Sequence, residues 1–430
     1  MMKLLVEKTE KLSGEITIPG SKSHTIRAVT IASLAKGVSK IRNPLKSDDT
    51  MASVNAWKLL GAKINTDDAN EWIIEGVDHK PKAPGSALNM LNSGTSLRII
   101  SGIIAALCDF EVELDGDDSL RTRPMQPLLK AYNELGAEAL SISNNGYCPI
   151  KIKGKMTGGS TEISGLSSQF VTSLLFACPL LEEDTKIKVL KPNEIPYIKM
   201  TLRWLDEQGI RYQASEDFTG FTVFGSQKYK PFEKTIPADW SSAAFPLVAG
   251  AITNSDITIK GLDLKDTQGD KAIIDYLKKM DADIKLDGNE VHIKGKPLKG
   301  CQLDLNSTPD ALPALSVLGA FAEGTTTLYN VPQARVKETD RIKVMAEELG
   351  KMDVDIKERE EGLIIHKSAL KGNKVRGHND HRVVMALSLA GLIAEGKTEI
   401  TSAESIGVTY PGFIESMQSL GAKIKLLGGK

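Results

Sequence analysis

The feature that most constrains this 430-residue chain is a unit of sequence that occurs six times. Each copy opens with polar residues, continues through about fifteen residues rich in Ala, Val, Leu, Ile and Ser, and ends in a short β-rich run. The matching apolar residues of these runs lie 69 to 75 residues apart, at Ile41, Val112, Ile187, Ile259, Leu328 and Ile400. So regular a spacing at this length indicates a repeated small α/β unit rather than the short turn of a solenoid.

A second landmark occurs at the same phase of every copy. An amphipathic helix ends and a strand begins at residues 61–64, 136–139, 209–212, 281–284, 353–356 and 421–424. Most copies then pass through a turn into another strand, so the unit reads strand, helix, strand, helix, strand, strand, or βαβαββ. The apolar stretch after each opening is typical of a buried helix that packs closely on its neighbours.

The chain is too long for one compact core, and six units divide most naturally into two groups of three. Thr-Ile-Pro-Gly at 17–20 is echoed by Thr-Ile-Pro-Ala at 235–238, which predicts two crossing strands that form a hinge for closure over a ligand. The sixth copy lacks its closing strand, and residues 3–6 can supply it. We therefore predict two similar α/β domains, residues 21–236 and residues 1–20 with 237–430. Each contains three βαβαββ units, with the helices packed inside the sheets.

The composition excludes several classes of partner. The formal net charge is −1, so no long-range attraction to nucleic acid or to an anionic membrane is expected. No apolar run reaches membrane-spanning length, and the N-terminus leads into a strand rather than a signal peptide. The four cysteines lie far apart without a CxxC pair, which is typical of reduced thiols in the cytoplasm. We expect a cytoplasmic monomer that uses no metal or other cofactor.

The polar openings of the six copies can bind anions, because helix N-termini present unpaired N–H groups and a partial positive charge. These openings are residues 21–23, 92–95, 167–169, 239–242, 307–310 and 379–382. The alternative is ordinary capping, for which Ser, Thr, Asn and Asp are preferred, and 239–242 is the first candidate for a cap alone. Three openings have cations in or beside them that capping does not need, at Lys22, Arg98 and Arg382.

The two halves of the chain differ in the charge of their openings. The first three use neutral Ser, Asn and Gln, which leave the positive field open for an external anion, whereas the last three contain Asp. This contrast predicts an anion-binding side in the first half and an acid/base side in the second. Basic clusters at 121–124 and 335–341 suit bidentate binding of phosphate or carboxylate, although a solvated helix face is the simpler alternative for such runs.

Several motifs occur here in the order that is found in one family. They are PGSKSHTIRA at 19–28, LNSGTSLR at 91–98, Arg-Pro at 123–124, Ser-Ser-Gln at 167–169, RVKETDR at 335–341 and NDHR at 379–382. Over essentially its whole length the chain resembles the 5-enolpyruvylshikimate-3-phosphate (EPSP) synthase family of the shikimate pathway. The resemblance implies transfer of an enolpyruvyl group from phosphoenolpyruvate to the 5-hydroxyl of shikimate 3-phosphate, with release of phosphate. It also implies two domains of three βαβαββ units each.

The resemblance further implies which residues form the site. Contacts to shikimate 3-phosphate are expected from Lys22, Ser23, Arg27, Ser167, Ser168, Gln169, Tyr197, Asp310 and Lys337. Contacts to phosphoenolpyruvate are expected from Lys22, Asn92, Gly94, Thr95, Arg123, Gln169, Arg341, His381 and Arg382. The reacting groups are expected to be Lys22, Asp310, Lys337 and Glu338.

The chemistry of such a transfer suits these residue types. The 5-hydroxyl must lose a proton as it attacks C2, and C3 of the enol must gain one before phosphate leaves and that proton is removed. Asp310, at a helix N-terminus, is expected to stay ionised and to orient or deprotonate the hydroxyl. Glu338 is favoured for the C3 proton, and the division of these steps among Lys22, Asp310 and Glu338 stays open.

Three positions depart from the family's pattern. Glu194 stands where many relatives have Ser, Gln333 where some have Asn, and Val408 where some have Lys. A carboxylate near the substrate phosphate would repel it, so we expect Glu194 to point away or its loop to be displaced. Without a lysine at 408, the phosphate cage lacks one cation or another lysine substitutes.

Two other functions are the alternatives. The sister transferase that acts on UDP-N-acetylglucosamine has a reactive cysteine five residues before the arginine of an Arg-Pro pair, where this chain has Asp118. A non-catalytic anion-binding protein on the same fold would be expected to have lost reacting groups such as Lys22, Asp310 or Glu338, and all are present.

Nucleotide and zinc sites are not indicated. Neither GxGxxG nor GxxxxGK occurs, and the pair His378 and His381 has no acidic partner at the spacing of a zinc site. We expect His381 to face the substrate and His378 to be structural.

Overall fold

The computed structural model describes residues 2–428. The chain forms two compact units. One is Gly20–Ile236, and the other consists of the chain up to Pro19 together with the chain from Pro237 onward. The chain therefore passes from one unit to the other twice, after Pro19 and after Ile236.

Twelve α-helices lie within the described residues. They are α1 (Lys22–Leu34), α2 (Asp48–Leu59), α3 (Gly94–Leu107), α4 (Gln126–Glu134), α5 (Ser168–Ala177), α6 (Ile195–Gln208), α7 (Trp240–Ile252), α8 (Ile273–Lys279), α9 (Leu312–Phe321), α10 (Arg341–Gly350), α11 (His381–Ile393) and α12 (Phe413–Ser419). The odd-numbered helices are buried on nearly all sides, as the apolar stretches predicted, whereas the even-numbered ones bury one face. Short 3₁₀ segments occur at Leu120–Thr122, Cys178–Leu180, Gly269–Ala272, Pro309–Ala311, Pro332–Val336 and Ala403–Val408. Of the helices described, none has the length and apolar character needed to cross a membrane.

The same residues form twenty-four strands in six sheets of four. They are β1 (Lys3–Glu7), β2 (Ser13–Thr17), β3 (Val38–Arg42), β4 (Lys63–Asn65), β5 (Glu71–Glu75), β6 (Leu88–Asn89), β7 (Val112–Asp115), β8 (Glu138–Ser141), β9 (Ile150–Lys153), β10 (Gly159–Ser164), β11 (Thr185–Leu190), β12 (Tyr212–Ala214), β13 (Gly220–Val223), β14 (Glu233–Thr235), β15 (Asp256–Lys260), β16 (Asp283–Asp287), β17 (Glu290–Lys294), β18 (Gln302–Asp304), β19 (Thr325–Tyr329), β20 (Ile356–Arg359), β21 (Gly362–His366), β22 (Lys374–Val375), β23 (Lys397–Thr401) and β24 (Ile424–Leu427).

All six sheets share one strand order, for which β10–β11–β13–β12 is an example. In this example β10 lies parallel to β11, and β13 lies antiparallel to β11 on its other side. β12, the third strand along the chain, pairs with the outer edge of β13, the fourth. A parallel neighbour requires a crossover, which the buried helix supplies, whereas the antiparallel third and fourth strands need only a turn. The βαβαββ unit predicted from the sequence is therefore confirmed.

Three strands complete a sheet that belongs to a distant part of the chain. β2, which precedes α1, pairs in parallel with β15 of the unit that contains α7. β14, which precedes α7, pairs in parallel with β3 of the unit that contains α1. β1 lies between β23 and β24 and completes the sheet of the sixth copy. The crossing strands and the closing strand predicted from the sequence are both present.

Buried helices form the centre of each unit, and the sheets cover them. Side chains on the strands alternate between core and solvent, as in β1, where Leu4 and Val6 are buried and Leu5 is half-buried. Helices α3 and α5 pack closely because Gly102 lies against Ser173: a Cβ at Gly102 would lie 2.4 Å from Ser173 Oγ. This packing fixes the helices whose first residues carry the candidate site.

Candidate active site

Three helix openings of the unit Gly20–Ile236 carry predicted site residues. The helices begin at Lys22 in α1, Gly94 in α3 and Ser168 in α5. Two of them have neutral caps: the Ser93 hydroxyl accepts from the Ser96 N–H, and the Ser167 hydroxyl accepts from the Gln169 N–H, each over 3.3 Å. A neutral cap satisfies one N–H group without cancelling the partial positive charge of the helix end.

Lys22 is held by an ion pair that was not foreseen from the sequence. Its Nζ lies 2.9 Å from Oδ2 of Asp49, and both side chains are largely buried. Asp49 stands in the first turn of α2, which a capping box of Ser47 and Thr50 begins. That box was the available signal, because a carboxylate between its two ends must lie at a helix N-terminus. The other oxygen of Asp49, Oδ1, is buried and has no hydrogen-bond partner among the described residues.

Side chains of α3 and α5 meet at a hydrogen-bonded junction. Arg98 Nη1 donates to Gln169 Oε1 over 2.6 Å, and Gln169 Nε2 donates to Thr95 Oγ1 over 3.0 Å. The guanidinium of Arg98 also lies over the ring of Phe170, 4.9 Å from its centroid, in a cation–π contact. The predicted residues Thr95 and Gln169 are thus in contact, and Arg98, absent from the predicted set, joins them.

Arg123 lies directly beside the opening of α3. Its Nη2 donates to Asn92 Oδ1 over 2.7 Å, and Asn92 Nδ2 donates to Asp117 Oδ2 over 2.7 Å. Its Nη1 lies 3.1 Å from the point that a Cβ at position 94 would occupy. Gly94 therefore lets a guanidinium approach the helix end closely, and three predicted residues, Asn92, Gly94 and Arg123, form one group.

Arg27 is buried between α1, α5 and α6. It donates to Thr201 Oγ1 over 2.9 and 3.2 Å, to the Ser23 carbonyl over 3.0 Å and to the Tyr197 carbonyl over 3.5 Å. Burial lowers the pKa of Arg27 to about 10, so the guanidinium stays charged at neutral pH. The structure thus brings together the predicted residues Ser23, Arg27 and Tyr197. Thr201 was missed, since a threonine inside a helix carries no signal of a site.

Of the two alternatives expected for Glu194, the one in which it points away is wrong. Its carboxylate does not turn away from the predicted phosphate contacts: Oε2 accepts from the Ser168 N–H over 3.0 Å and from the Ser168 hydroxyl over 2.6 Å. The residue is 1% exposed. The physical reason is that a buried carboxylate needs donors, and the first turn of α5 supplies them together with a favourable helix dipole.

In the other unit, Arg341 organises three carboxylates. Its Nε and Nη2 donate to Asp380 over 2.8 and 3.1 Å, Nη1 donates to Asp310 over 2.7 Å, and Nη2 also donates to Glu338 over 2.6 Å. The residue is 0% exposed. Burial alone would lower the pKa of Arg341, but the charges of Asp380, Glu338 and Asp310 raise it above its usual range. Two predicted reacting acids, Asp310 and Glu338, therefore share one guanidinium.

Asp310 stands in the 3₁₀ segment before α9, and its side chain is 16% exposed. Besides Arg341, it has Arg382 Nη2 at 3.3 Å and Lys337 Nζ at 3.9 Å. Burial would raise the pKa of Asp310, but the charges of Arg382, Lys337 and Arg341 together hold it well below its usual range. Asp310 is therefore ionised throughout the neutral range, as predicted.

The opening of α11 joins this group. The cap Asp380 accepts from the Arg382 N–H over 2.9 Å, and Arg382 Nη1 lies 2.5 Å from Nε2 of His381. Arg382 Nη2 also donates to the Ser241 hydroxyl of α7. The opening at 239–242 is therefore more than a cap: Asp239 caps α7 through the Ser241 N–H, while Ser241 contacts a predicted site residue.

The other two positions that depart from the family's pattern, Gln333 and Val408, are buried, and His378 contacts a buried carboxylate. Gln333 is buried, and its Nε2 donates to the Asn306 carbonyl over 2.7 Å. Val408 is 8% exposed at the end of a 3₁₀ segment and offers no charge. His378 Nε2 lies 2.8 Å from the buried carboxylate of Glu348, in keeping with the structural role predicted for it.

Glu347, Glu348 and His378 could together hold a metal ion by the spacing of their ligand atoms. Glu348, however, already accepts from Lys351 over 2.8 Å and from the Arg376 N–H over 2.9 Å. Burial would raise the pKa of Glu348, but these bonds and the one to His378 lower it. Its charge is therefore compensated by protein groups.

Comparison with known proteins shows what the chain is similar to. The family model for EPSP synthase (3-phosphoshikimate 1-carboxyvinyltransferase) matches residues 6–417. The 3-phosphoshikimate 1-carboxyvinyltransferase of Acetivibrio thermocellus is 49% identical over 422 residues, which cover 98% of this chain and 99% of the relative. That of Methanocaldococcus jannaschii is 45% identical over 432 residues, covering 99% of this chain and 100% of the relative.

Solved structures show the same fold. The EPSP synthase from Acinetobacter baumannii superposes with a TM-score of 0.83 at 30% identity and 100% coverage of both chains. The enolpyruvyl transferase NikO from Streptomyces tendae has a TM-score of 0.81 at 19% identity, covering 100% of this chain and 99% of that one, and supports the fold alone. With the family model matching almost the whole length and close relatives sharing nearly half of the sequence, this chain belongs to the EPSP synthase family.

Proposed function

We propose that the protein is a 3-phosphoshikimate 1-carboxyvinyltransferase, which transfers the enolpyruvyl group of phosphoenolpyruvate to the 5-hydroxyl of shikimate 3-phosphate and releases phosphate. The observation that carries the proposal is the arrangement around Arg341. Asp310 and Glu338 bind the same guanidinium, and Asp310 has two further cations within 4 Å. Two carboxylates with different surroundings suit a reaction that needs two separate proton transfers.

The unit Gly20–Ile236 supplies the groups that we assign to the acceptor. Arg27 is a buried cation beside Ser23 and Tyr197, and Ser23 and Ser167 place hydroxyl groups at the openings of α1 and α5. Ser167, Ser168 and Gln169 stand at the opening of α5, where an anion is favoured by the helix dipole. These residues match the charges and hydroxyls of shikimate 3-phosphate.

Two sets of residues are assigned to phosphoenolpyruvate. Lys22 lies at the opening of α1, and Arg123 lies beside Asn92 and Gly94 at the opening of α3, near Thr95 and Gln169. The second set is Arg341, His381 and Arg382, which lie together around Asp380. Fixed cations of this kind offset the charge of the phosphate and the carboxylate and stabilise charge that develops during transfer.

The surroundings of Asp310 favour one of the two roles open to it. A carboxylate whose pKa is held far below its usual range is a weak base, but it remains a strong hydrogen-bond acceptor. We therefore assign Asp310 to orienting the 5-hydroxyl as its oxygen bonds to C2 and to relaying the hydroxyl proton, which ends on the phosphate that departs. Glu338, whose side chain is 9% exposed, is assigned the proton that C3 gains and then loses as phosphate departs. Lys22 and Lys337 are assigned to balancing charge at the reacting oxygens.

Phosphate release tests this proposal. Phosphoenolpyruvate with shikimate 3-phosphate should release phosphate, whereas UDP-N-acetylglucosamine as acceptor should not, because Asp118 at the position of the sister enzyme's cysteine is an exposed carboxylate. Lys22→Met and Asp310→Ala should each lower kcat by about 10²–10⁴-fold while the circular dichroism spectrum keeps its shape. Unchanged turnover in either variant would sink the assignment. Addition of EDTA should leave the wild-type rate unchanged.

We further propose that the enzyme works as a cytoplasmic monomer. Cys108, Cys148 and Cys178 are buried, and burial raises the pKa of each thiol to about 12, so they stay protonated and unreactive. Light scattering coupled to size-exclusion chromatography should give the mass of one chain, 46.5 kDa. A dimer mass would contradict the monomer.

A further inference from the structure

The opening of α5 already holds an anion that belongs to the protein. Oε2 of Glu194 accepts from the Ser168 N–H over 3.0 Å and from the Ser168 hydroxyl over 2.6 Å. Glu194 is 1% exposed, so this carboxylate is nearly removed from water. It occupies the donors through which a helix N-terminus binds a phosphate.

Glu194 belongs to a different helix from the one that it serves. It is the residue directly before α6, it has a left-handed backbone with φ of +54°, and its side chain does not cap α6. Instead the side chain reaches the first turn of α5. A carboxylate in that place cancels the partial positive charge that a neutral residue would leave available.

The consequence for Ser168 is a change in what it can offer a ligand. A serine has one N–H and one O–H donor, and here both point at Glu194. What remains at Ser168 Oγ is lone pairs, which accept from a hydroxyl. A phosphate dianion has acceptor oxygens alone and is repelled by a nearby carboxylate. It can use Ser168 after Glu194 has released these donors.

We propose that Glu194 is a specificity-determining residue that competes with the phosphate of the acceptor for Ser168. The free enzyme keeps its own carboxylate at the opening of α5, and binding of shikimate 3-phosphate displaces it. The phosphate therefore contributes less to affinity here than it would with a neutral side chain at position 194. The inference rests on the proposed function, because it takes shikimate 3-phosphate as the acceptor and Ser168 as one of its contacts.

Two neutral variants test the competition. Glu194→Ser removes the carboxylate, and Glu194→Gln keeps its size and one acceptor oxygen without its charge. Titration calorimetry without phosphoenolpyruvate compares shikimate 3-phosphate with shikimate, its analogue without the phosphate. We expect shikimate 3-phosphate to bind about tenfold tighter to Glu194→Ser than to the wild type. Glu194→Gln should also bind it tighter than the wild type does, but by a smaller factor. The affinity for shikimate should change by less than about twofold, because the effect acts on the phosphate.

A matched control separates this effect from general charge. Glu216→Ser removes an exposed carboxylate from the same unit and should leave both affinities unchanged. The KM for phosphoenolpyruvate should also stay within about twofold of wild type in both Glu194 variants. A merely structural role would change thermal stability without changing the ratio of the two affinities.

The possible outcomes distinguish failure of the proposed competition from failure of the proposed function. If the wild type neither binds nor turns over shikimate 3-phosphate, the proposed function fails. If the wild type is active but folded Glu194 variants bind shikimate 3-phosphate no tighter, the competition is refuted and Glu194 is a cap of α5. A crystal structure of the wild type with shikimate 3-phosphate decides the matter without any variant. Glu194 must then have left Ser168, and a carboxylate still bonded to Ser168 beside a bound phosphate would overturn the proposal.

Discussion

Arg341, with the acids that surround it, shows how strongly the charges of one unit depend on each other. Asp310, Glu338 and Asp380 each bind its guanidinium, and Asp310 is shared with Arg382. Each charge is buried or largely buried and is stable there because the others compensate it. Removal of a single member therefore leaves the charges that it binds less fully compensated in a region that water reaches poorly.

Asp310→Asn is expected to destabilise the protein in a pH-dependent way. The pKa of Asp310 is lower in the folded chain than the usual value of about 3.9, so its ionised form stabilises the fold fully above about pH 4. That contribution is lost as the pH falls through the folded-state pKa. We expect the variant to lower the free energy of unfolding by about 2–3 kcal/mol at neutral pH. The difference from wild type should shrink below about pH 4.

Urea unfolding at a series of pH values from 7 to 3 measures this difference. Asp118→Asn is the control, since that carboxylate is fully exposed, and it should change the free energy of unfolding by less than about 0.5 kcal/mol at any pH. A loss for Asp310→Asn that is equally large at pH 3 and pH 7 would show that its charge is not responsible.

Among single residues, the sequence predicted those with unusual chemistry but not the residues that hold them in place. Lys22, Asp310 and Arg341 stand in motifs that carry more charge than a cap or a solvated face needs. Asp49 and Ser241, in contrast, are ordinary residues for a helix start, and Ser241 meets Arg382 across 141 positions of sequence. Such contacts depend on how the helices pack against each other, and this packing cannot be predicted from the order of residues alone.

Among the helices, α3 and α5 set the positions of several site residues at once. Gln169 of α5 is tied to Arg98 of α3, and the carbonyl of Arg98 accepts from the Ser173 hydroxyl. The two helices approach closely because Gly102 has no side chain: a Cβ there would lie 2.4 Å from Ser173 Oγ and 2.9 Å from the Ser173 carbonyl oxygen. The backbone oxygen cannot move aside without moving the helix.

Gly102→Ala is therefore expected to lower the free energy of unfolding by about 1–3 kcal/mol, as overpacking of a well-packed core does. Separation of the helices should also pull Gln169 from Arg98 and raise the KM for phosphoenolpyruvate. Gly350→Ala is the matched control, because Gly350 ends α10 and a Cβ there would have no neighbouring atom within 4 Å. That substitution should be neutral or slightly stabilising. Equal effects of the two substitutions would refute the role of close packing.

The helices and strands could largely be predicted from the sequence, because apolar periodicity and the phase of the repeat indicate them directly. The direction of the Glu194 side chain could not be predicted in this way. Electrostatic repulsion from a substrate suggested that it turns away, whereas the structure contains a stronger local effect: two donors on Ser168 that satisfy a buried carboxylate. The backbone of Glu194, with φ of +54°, directs it there, and a left-handed glutamate has no reliable sequence signal.

For the whole molecule, the decisive feature is the exchange of strands. The continuous segment Gly20–Ile236 contains every strand of its three sheets, since β14 returns to pair with β3. The chain from Pro237 onward lacks two strands of its own sheets, because β2 pairs with β15 and β1 lies between β23 and β24. The two halves are therefore unequal as independent folding units.

A fragment of residues 20–236 is expected to fold alone with a cooperative urea transition, whereas a fragment of residues 237–428 should not. A permuted fragment provides the control: residues 237–428 followed by a short turn and residues 2–19. Lys3 and Leu427 are directly paired, so such a turn needs to span one antiparallel step. Circular dichroism and the unfolding transition should return in the permuted fragment. Cooperative folding of residues 237–428 alone would contradict the need for the two strands.

The position of β1 also determines how late its sheet can form during synthesis of the chain. β1 is made before the other described strands, but its neighbours β23 and β24 end at Thr401 and Leu427, so the ribosome must add about 400 residues before the sheet can close. At typical rates of about 5–20 residues per second, that takes about 20–80 seconds. Throughout this time Leu4 and Val6 have no core to enter, and an unpaired apolar strand is a substrate for chaperones or for aggregation. The earliest of the described strands is thus among the last to pair.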